Sequence, residues 1–489
     1  MADAKIIRLV DFGRDTAEYD KHLAEYFLET PAYERLMSGE KSLIIGRKGT
    51  GKTALVKYCS EHEGSREYFV KIEASHSTYV KIDESLRSFV SQVKNLDSSF
   101  KLGWLFTTLL ALVDRLSRQR TIAVTKDETE VYEFAKQELS YNSEDPISAI
   151  AGYVFSWLKN LKSIGPVERQ VPASSASEYF DEPRVLHLIR SAVERINDKE
   201  RTVYLLYDRL DERWDGSPLY VAFLQGLLLA IKDIKATGLR VRPVVFLRTD
   251  IFDLITESFQ HIDHYRMEIE RIAWDEMTLL ELIGRRIQKS LERSGVRVTD
   301  REAQALWRLV FPKDIAARRA PIPSQAYMIE RTLFRPRDII LFASGARDDA
   351  ITHHHDHVTA DDILSAEVTY SRDKLRDLIA EWSYKYARLD ELLRHFRRGP
   401  IGFDRDELRY KLLELIDGTR ALGWVPENED LLMQLLYSIG FISYTTRGGV
   451  LRGTRVVNSA VQPDATTVLE QDRLYVSPIF RRALELRDH

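Results

Sequence analysis

The chain predicts an α/β fold with a parallel sheet and a helical insertion, followed by an all-α module and a winged-helix-like C-terminal domain. Three observations carry that prediction. The apolar run Ser42-Leu43-Ile44-Ile45 feeds into Gly46-Arg47-Lys48-Gly49-Thr50-Gly51-Lys52-Thr53, a complete G-x-x-x-x-G-K-T loop, and then into a helical stretch beginning Ala54-Leu55-Val56. Short apolar strands recur between helices at 67–72, 202–207 and 243–247, the pattern of a parallel sheet covered on both faces. Beyond about residue 275 helices take over, until Gly440-Phe441-Ile442-Ser443-Tyr444, a Gly448-Gly449 turn and Arg473-Leu474-Tyr475-Val476 restore a strand signal.

Taken in order, residues 1–40 read as a helical lead-in: Leu23, Tyr26, Phe27, Tyr33 and Leu36 keep helical spacing, broken by Pro31. Residues 41–274 form the sheet-bearing core. A helical insertion spans about 85–200, with amphipathic or buried patterns at 84–94, 101–119, 129–138, 147–162 and 183–197. Its most apolar run, Trp104–Val113, covers about half a bilayer and is followed by Asp114 and Arg115, so it reads as a buried helix. Ser174-Ser175-Ala176-Ser177 after Pro172 marks a loop. Residues 275–380 form the all-α module, a lid, with helices at 276–293, 300–311, 324–332, 336–346 and 360–380. Residues 381–489 carry helices near 386–396, 404–420 and 428–438 before the small hairpin, which is the winged-helix order.

Length and composition set bounds on function. A chain of 489 residues holds two to four domains and a large core. With 71 basic against 75 acidic residues there is no bulk electrostatic signature for nucleic acid or membrane, so such binding has to be local. The single cysteine, Cys59, excludes an intrachain disulfide framework and reads as a small core residue. No targeting segment is visible at the amino terminus, and the cytoplasm is the expected compartment.

The loop 46–53 carries phosphate chemistry. Its glycines let consecutive backbone N–H groups turn inward around a phosphate, Lys52 brings a positive charge to the outer phosphates, and Thr53 offers a hydroxyl to Mg²⁺. Gly46, Lys48, Gly49, Thr50, Gly51, Lys52, Thr53 and Ala54 are therefore the candidate nucleotide-binding residues, and the helix that follows adds its N-terminal dipole. The sheet is accordingly that of a P-loop NTPase, with ATP and Mg²⁺ as cofactors. Such a site needs a carboxylate at the end of a neighbouring strand. Asp208 ends the strand 202–207 and is the candidate to hold the metal through water, with Thr53 as the second metal-side group. Asp211 or Glu212, on the following loop, would align the attacking water or accept its proton. A solvated acidic turn balanced by Arg209 and Arg213 is the plainer alternative. The next strand ends in Leu247-Arg248-Thr249-Asp250, at the carboxyl edge where open α/β sheets bind ligands. Arg248 is read as a γ-phosphate sensor, against a surface ion pair with Asp250 or Asp253. Phe334-Arg335-Pro336-Arg337-Asp338 opens a helix of the all-α module, and Arg337, or alternatively Arg335, could reach the nucleotide; an ordinary helix-start charge pattern explains it equally.

Two further clusters have plain readings. His353-His354-His355-Asp356-His357 has metal-ligand residue types, but neighbouring residues cannot all converge on one ion and no distant partner is evident, so it reads as a polar loop. Arg394, Arg397 and Arg398, with Arg447, Arg452 and Arg455 in the wing, could track a phosphate backbone or simply be solvated.

Together the loop, the Asp208-x-x-Asp211-Glu212 run, Arg248, the Pro-Arg helix start and the terminal winged helix resemble the STAND and origin-recognition-like branches of the AAA+ ATPases. More closely, Asp11-Phe12-Gly13…Ala17-Glu18-Tyr19-Asp20, Ile45-Gly46-Arg47-Lys48-Gly49 and Phe246-Leu247-Arg248-Thr249-Asp250-Ile251-Phe252 are similar to a bacterial P-loop ATPase family often encoded near phage-defence genes. The resemblance covers most of 11–345. It departs from the common STAND pattern at Arg209, where glycine is usual, and in its long helical insertion. It implies a hydrolysing switch in which nucleotide sits between subunits or between core and lid, so that ATP changes domain angles or assembly. A homo-oligomer, and a sensor or regulator in antiviral defence with a separate effector partner, follow as expectations. The alternatives are a DNA-binding ATPase of the origin-loader or partition kind, contacting nucleic acid through its C-terminal domain, and a non-hydrolysing nucleotide-bound scaffold.

Overall fold

The computed structural model describes residues 6–74, 96–139, 141–143, 145–147, 150, 181–211, 214–258, 262–316, 320–448 and 454–487. The expected helices at 84–94 and over most of 147–162, the serine-rich loop at 174–177, and Glu212, Arg213, Gly449 and Arg452 lie outside the described residues. The chain divides into two compact units. One comprises Glu29–Lys48 and Lys52–Ile272; the other comprises Met1–Leu28, Gly49–Gly51 and Ala273–His489.

The first unit is built on a five-stranded sheet of β1 (Leu43–Ile45), β2 (Glu67–Glu73), β3 (Thr202–Asp208), β4 (Val241–Leu247) and β5 (Ile269–Arg271). Its order is β2-β3-β4-β1-β5, and every pair is parallel. Strand β5 escapes the sequence reading: three residues, two of them charged, carry no apolar run, and only pairing with β1 makes them a strand. Helix Pro31–Ser38 fills the place where Pro31 is expected to interrupt. Proline sits in its first turn and Gly39 closes it at φ 80°, so Pro31 starts the helix instead of ending one.

The apolar helix Leu96–Gln119 is long and apolar enough to cross a membrane, yet it is a core helix: 83% of its most apolar window is buried. It lies against helix Pro218–Ala236, and a side chain at Gly226 would meet Asp97 O and Lys101 N at 2.8 Å, so glycine is what lets the two backbones approach. Trp104, fully buried, donates its indole N–H to Phe223 O at 2.8 Å, which satisfies the polar atom that accompanies so much apolar area. Cys59 is buried as expected, and burial pushes its thiol up to about 12, which keeps it inert.

The second unit continues with helices Glu276–Arg293, Ala303–Arg308, Ser324–Ile329, Pro336–Thr352 and Ala360–Trp382. A two-residue ladder, β6 (Asp314–Ile315) with β7 (Ile322–Pro323), stands among them, too short to leave a periodic signal. The Asp11-Phe12-Gly13…Asp20 segment is held here by a buried network. Arg286 of the first of these helices donates to Asp20 at 3.1 Å and to Phe12 O, and Tyr26 donates to the same carboxylate. Phe12 stacks on Phe311, which stacks in turn on Trp307. That motif therefore fastens the amino-terminal segment to the helical core.

The C-terminal part has helices Leu389–Arg394, Arg405–Thr419 and Glu429–Ser438 and a four-stranded antiparallel sheet. The sheet contains β8 (Gly402–Asp404), β9 (Ile442–Arg447), β10 (Thr454–Val457) and β11 (Arg473–Val476), in the order β10-β9-β11-β8. This is a winged-helix-like layout with two strands more than the expected hairpin. Strand β10 lies in what reads as a polar stretch, and β8 is three residues opening a helix.

Candidate phosphate site

The phosphate loop leaves the buried end of β1, and its helix, Lys52–Glu61, begins at the lysine itself. Gly49 and Gly51 have φ of 83° and 97°, a region that L side chains rarely enter. Lys52 Nζ donates to Gly46 O at 2.8 Å and Arg47 O at 3.1 Å, so the ammonium lies across the mouth of the loop. Burial pulls its pKa below the ordinary lysine value, while the carboxylates of Asp211 and Asp208 oppose that shift. Lys48 is exposed, Thr50 is buried, and Thr53 and Ala54 are half-buried.

Two strands away from β1, about 9–10 Å across the sheet, Asp208 closes β3. It is 2% exposed. The neighbouring Thr53 hydroxyl and Arg209 backbone N–H favour its charged form, but Oδ2 is buried with no hydrogen-bond partner among the described residues. Burial pushes its pKa up to about 7; Glu73, directly opposite on β2, adds to the rise and Lys52 resists it. The loop and the strand end, distant in sequence, thus come together at Thr53 and Asp208. Arg209 takes φ 59°, the conformation glycine adopts without steric cost.

Arg248 is nearly buried at the end of β4, the strand between β1 and β3. It forms a two-point ion pair with Asp250, at 2.7 and 3.1 Å, and lies 3.7 Å from Asp211. The ion pair with Asp250, the plainer of the two readings, is present, and it stands at the sheet edge beside Asp211. Asp253 instead faces Arg271 at 3.8 Å.

Within the second unit, Arg337 meets the loop tip through its backbone, its N–H lying 3.3 Å from Gly49 O; a Cβ on Gly49 would stand 3.2 Å from Arg337 Cβ. The guanidinium itself is turned to Asp15, its Nε 3.4 Å from Asp15 O and 3.9 Å from Asp15 Oδ2. Arg335 pairs with Glu381 at 3.2 Å. Two participants escape the sequence reading. Trp274 donates its indole N–H to Thr50 O at 2.9 Å and so steadies the loop tip, and Glu73 sits in register with Asp208. A charged residue ending an apolar strand was the available signal for Glu73; nothing local marks Trp274.

Three of the candidate arginines of the C-terminal part have acids of their own. Arg394 pairs with Asp390, and Arg397 and Arg398 both pair with Glu485, whose carboxyl these two cations hold down at about 2. Thr446 faces Arg455 and Thr454 faces Arg447 across the wing ladder. Neighbouring positions on a strand alternate sides, so Arg447 and Arg455 point to opposite faces.

The site is thus a glycine-rich loop between strand and helix in a parallel sheet, with a lysine, a hydroxyl and a buried carboxylate converging: a P-loop NTPase fold. Residues 277–379 match the family model described as the FunZ-associated C-terminal helical domain. The chain is 22% identical over 452 residues to the putative transposon gamma-delta 80.3 kDa protein of Escherichia coli K12, and the match takes in 88% of this chain and 61% of that protein's length. Among solved structures it is similar to the ORC2 protein of Aeropyrum pernix in ADPNP and ADP complexes, with TM-score 0.37 and 13% identity over 92% of this chain and 96% of that one. It is also similar to Cdc6p from Pyrobaculum aerophilum, with TM-score 0.32 and 11% identity over 95% and 99% of the two chains.

Proposed function

We propose that this protein binds and hydrolyses ATP with Mg²⁺ and uses the nucleotide state as a switch. The observation that carries the proposal is the meeting of the Thr53 hydroxyl, the buried Asp208 carboxylate and Lys52, with Asp208 Oδ2 lacking a hydrogen-bond partner among the described residues. Hard oxygen donors of this kind suit Mg²⁺, which when bound neutralises charge on the phosphates. Lys52 would trade its bonds to Gly46 O and Arg47 O for phosphate oxygens, and the N–H groups of the loop would turn toward the same anion. Asp211, beside Arg248 at the sheet edge, would orient the attacking water, a role it shares as a candidate with Glu212.

The wider role, a sensor or regulator in antiviral defence acting as a homo-oligomer with a separate effector, rests on the resemblance of the motifs. The DNA-binding alternative relies on six arginines of the C-terminal part, of which Arg394, Arg397 and Arg398 are engaged with Asp390 and Glu485. The decisive experiment follows phosphate release from ATP with and without Mg²⁺, and measures particle size with no nucleotide, with ADP and with a non-hydrolysable ATP analogue. Mg²⁺-dependent release together with a nucleotide-dependent change of size supports the switch. Binding without release favours the scaffold alternative, and absence of binding removes the proposal.

Arg248 supplies a separate test. Arg248→Ala is expected to lower ATP turnover about 10–100-fold, because a cation aimed at developing charge contributes mainly in the transition state. ADP affinity should change less than about threefold. Steady-state turnover and equilibrium ADP binding check this, and an equal loss in both would assign Arg248 to ground-state binding or to structure.

A further inference from the structure

The histidine-rich turn after helix Pro336–Thr352 brings together groups that the sequence keeps apart. His353 caps that helix, its N–H bonded to Asp349 O and Ile351 O. His354 then takes φ 61°, and His355 N donates to Ala350 O at 2.9 Å. This one left-handed residue reverses the chain, so that the rings of His353 and His355 come together with centroids 5.7 Å apart. The distant partner missing from the sequence reading is Asp362, in the first turn of helix Ala360–Trp382. Its carboxylate, 1% exposed, lies with Oδ1 3.1 Å from His353 Nδ1 and Oδ2 2.8 Å from His355 Nδ1. Thr359 fixes it from behind, donating to Oδ2 from its N–H at 2.9 Å and from its hydroxyl at 2.7 Å.

We propose that His353, His355 and Asp362 bind one divalent transition-metal ion of the Zn²⁺ class, joining the end of one helix to the start of the next. One ligand atom from each residue lies within 4.8 Å of the other two. Ligands about 2.0–2.2 Å from one zinc ion stand about 3–3.5 Å apart; His353 Nδ1 lies 3.1 Å from Oδ1, within that range, and His355 Nδ1, 2.8 Å from Oδ2, would move out slightly to admit the ion. Two imidazoles with one carboxylate favour zinc, cobalt or nickel over calcium or magnesium. Each neutral imidazole accepts the metal on Nδ1 by carrying its proton on Nε2. Thr359 supplies the second layer of hydrogen bonds that metal-binding carboxylates require, and the two rings, 54% and 39% exposed, leave the ion reachable and its remaining positions open to water. The plain alternative is that both rings only hydrogen-bond a helix-capping carboxylate.

Titration of the chelator-treated full chain with Zn²⁺ by calorimetry, and with Co²⁺ by visible absorption, separates the two. One Zn²⁺ per chain is expected. His353→Ala and His355→Ala should each weaken it at least about 10-fold, and Thr359→Val should weaken it by about the same factor through the second layer. Zn²⁺ should raise the thermal midpoint of the wild type and leave that of the double variant H353A/H355A unmoved. Both histidines are solvent-accessible, so these variants should fold, and circular dichroism verifies that. Equal Zn²⁺ affinity in the wild type and the double variant would overturn the proposal.

Discussion

Lys52→Ala is expected to raise the dissociation constant for ATP by about 100- to 1000-fold, and with it to abolish measurable turnover. The size follows from what the ammonium does. Its Nζ donates to Gly46 O and Arg47 O, so it is already poised at the loop mouth and needs only to exchange carbonyl for phosphate oxygens. A hydrogen bond to a charged group contributes about 1.5–3 kcal/mol, so two such bonds to phosphate give about 3–6 kcal/mol, and the lower part of that range, about 3–4 kcal/mol, remains once the bonds to Gly46 O and Arg47 O are given up. The loop backbone and the helix dipole remain in the variant, so residual weak binding is expected. Fluorescence titration with a labelled nucleotide measures the effect, and a circular-dichroism spectrum shows whether the fold is kept. A dissociation constant within threefold of the wild type would remove Lys52, and with it the central reading of the loop.

How far such a site is legible in the sequence depends on how local its determinants are. The loop 46–53 is legible because phosphate binding is written in eight consecutive residues. Asp208 is legible because a charged residue ends an apolar strand that is buried from Val203 onward. Strand β5 was not legible, since Ile269-Glu270-Arg271 is a strand only through its pairing with β1, more than two hundred residues away. The Arg397–Glu485 and Arg398–Glu485 pairs join residues 88 and 87 positions apart, and no spacing rule finds them. In the histidine turn, the residue types were visible and their convergence was not. It depends on the left-handed backbone of His354 and on a carboxylate fixed by the cap of a different helix. Local chemistry could be read directly, and what long-range contacts built could not.

Asp208→Asn separates the proposed catalytic role of this carboxylate from its effect on folding, because the two effects have opposite signs. Its pKa is raised from the ordinary 3.8 to about 7, chiefly by burial. Between about pH 4 and pH 7 the folded chain therefore holds a proton that the unfolded chain has released. The group destabilises the fold progressively as pH rises through that window, and the full cost, at most about 4 kcal/mol, is present above pH 7. Asparagine keeps the shape and carries no charge. The nucleotide-free variant should thus unfold at a higher urea midpoint than the wild type at pH 8, with the difference shrinking toward zero near pH 4. Turnover moves the other way. Without a charged oxygen to hold Mg²⁺, ATP hydrolysis should fall at least about 100-fold. Stability below the wild type at pH 8 would mean that the charge is compensated by Lys52 and is not a burden on the fold. Unchanged turnover would remove Asp208 from the metal-binding role while leaving the phosphate loop untouched.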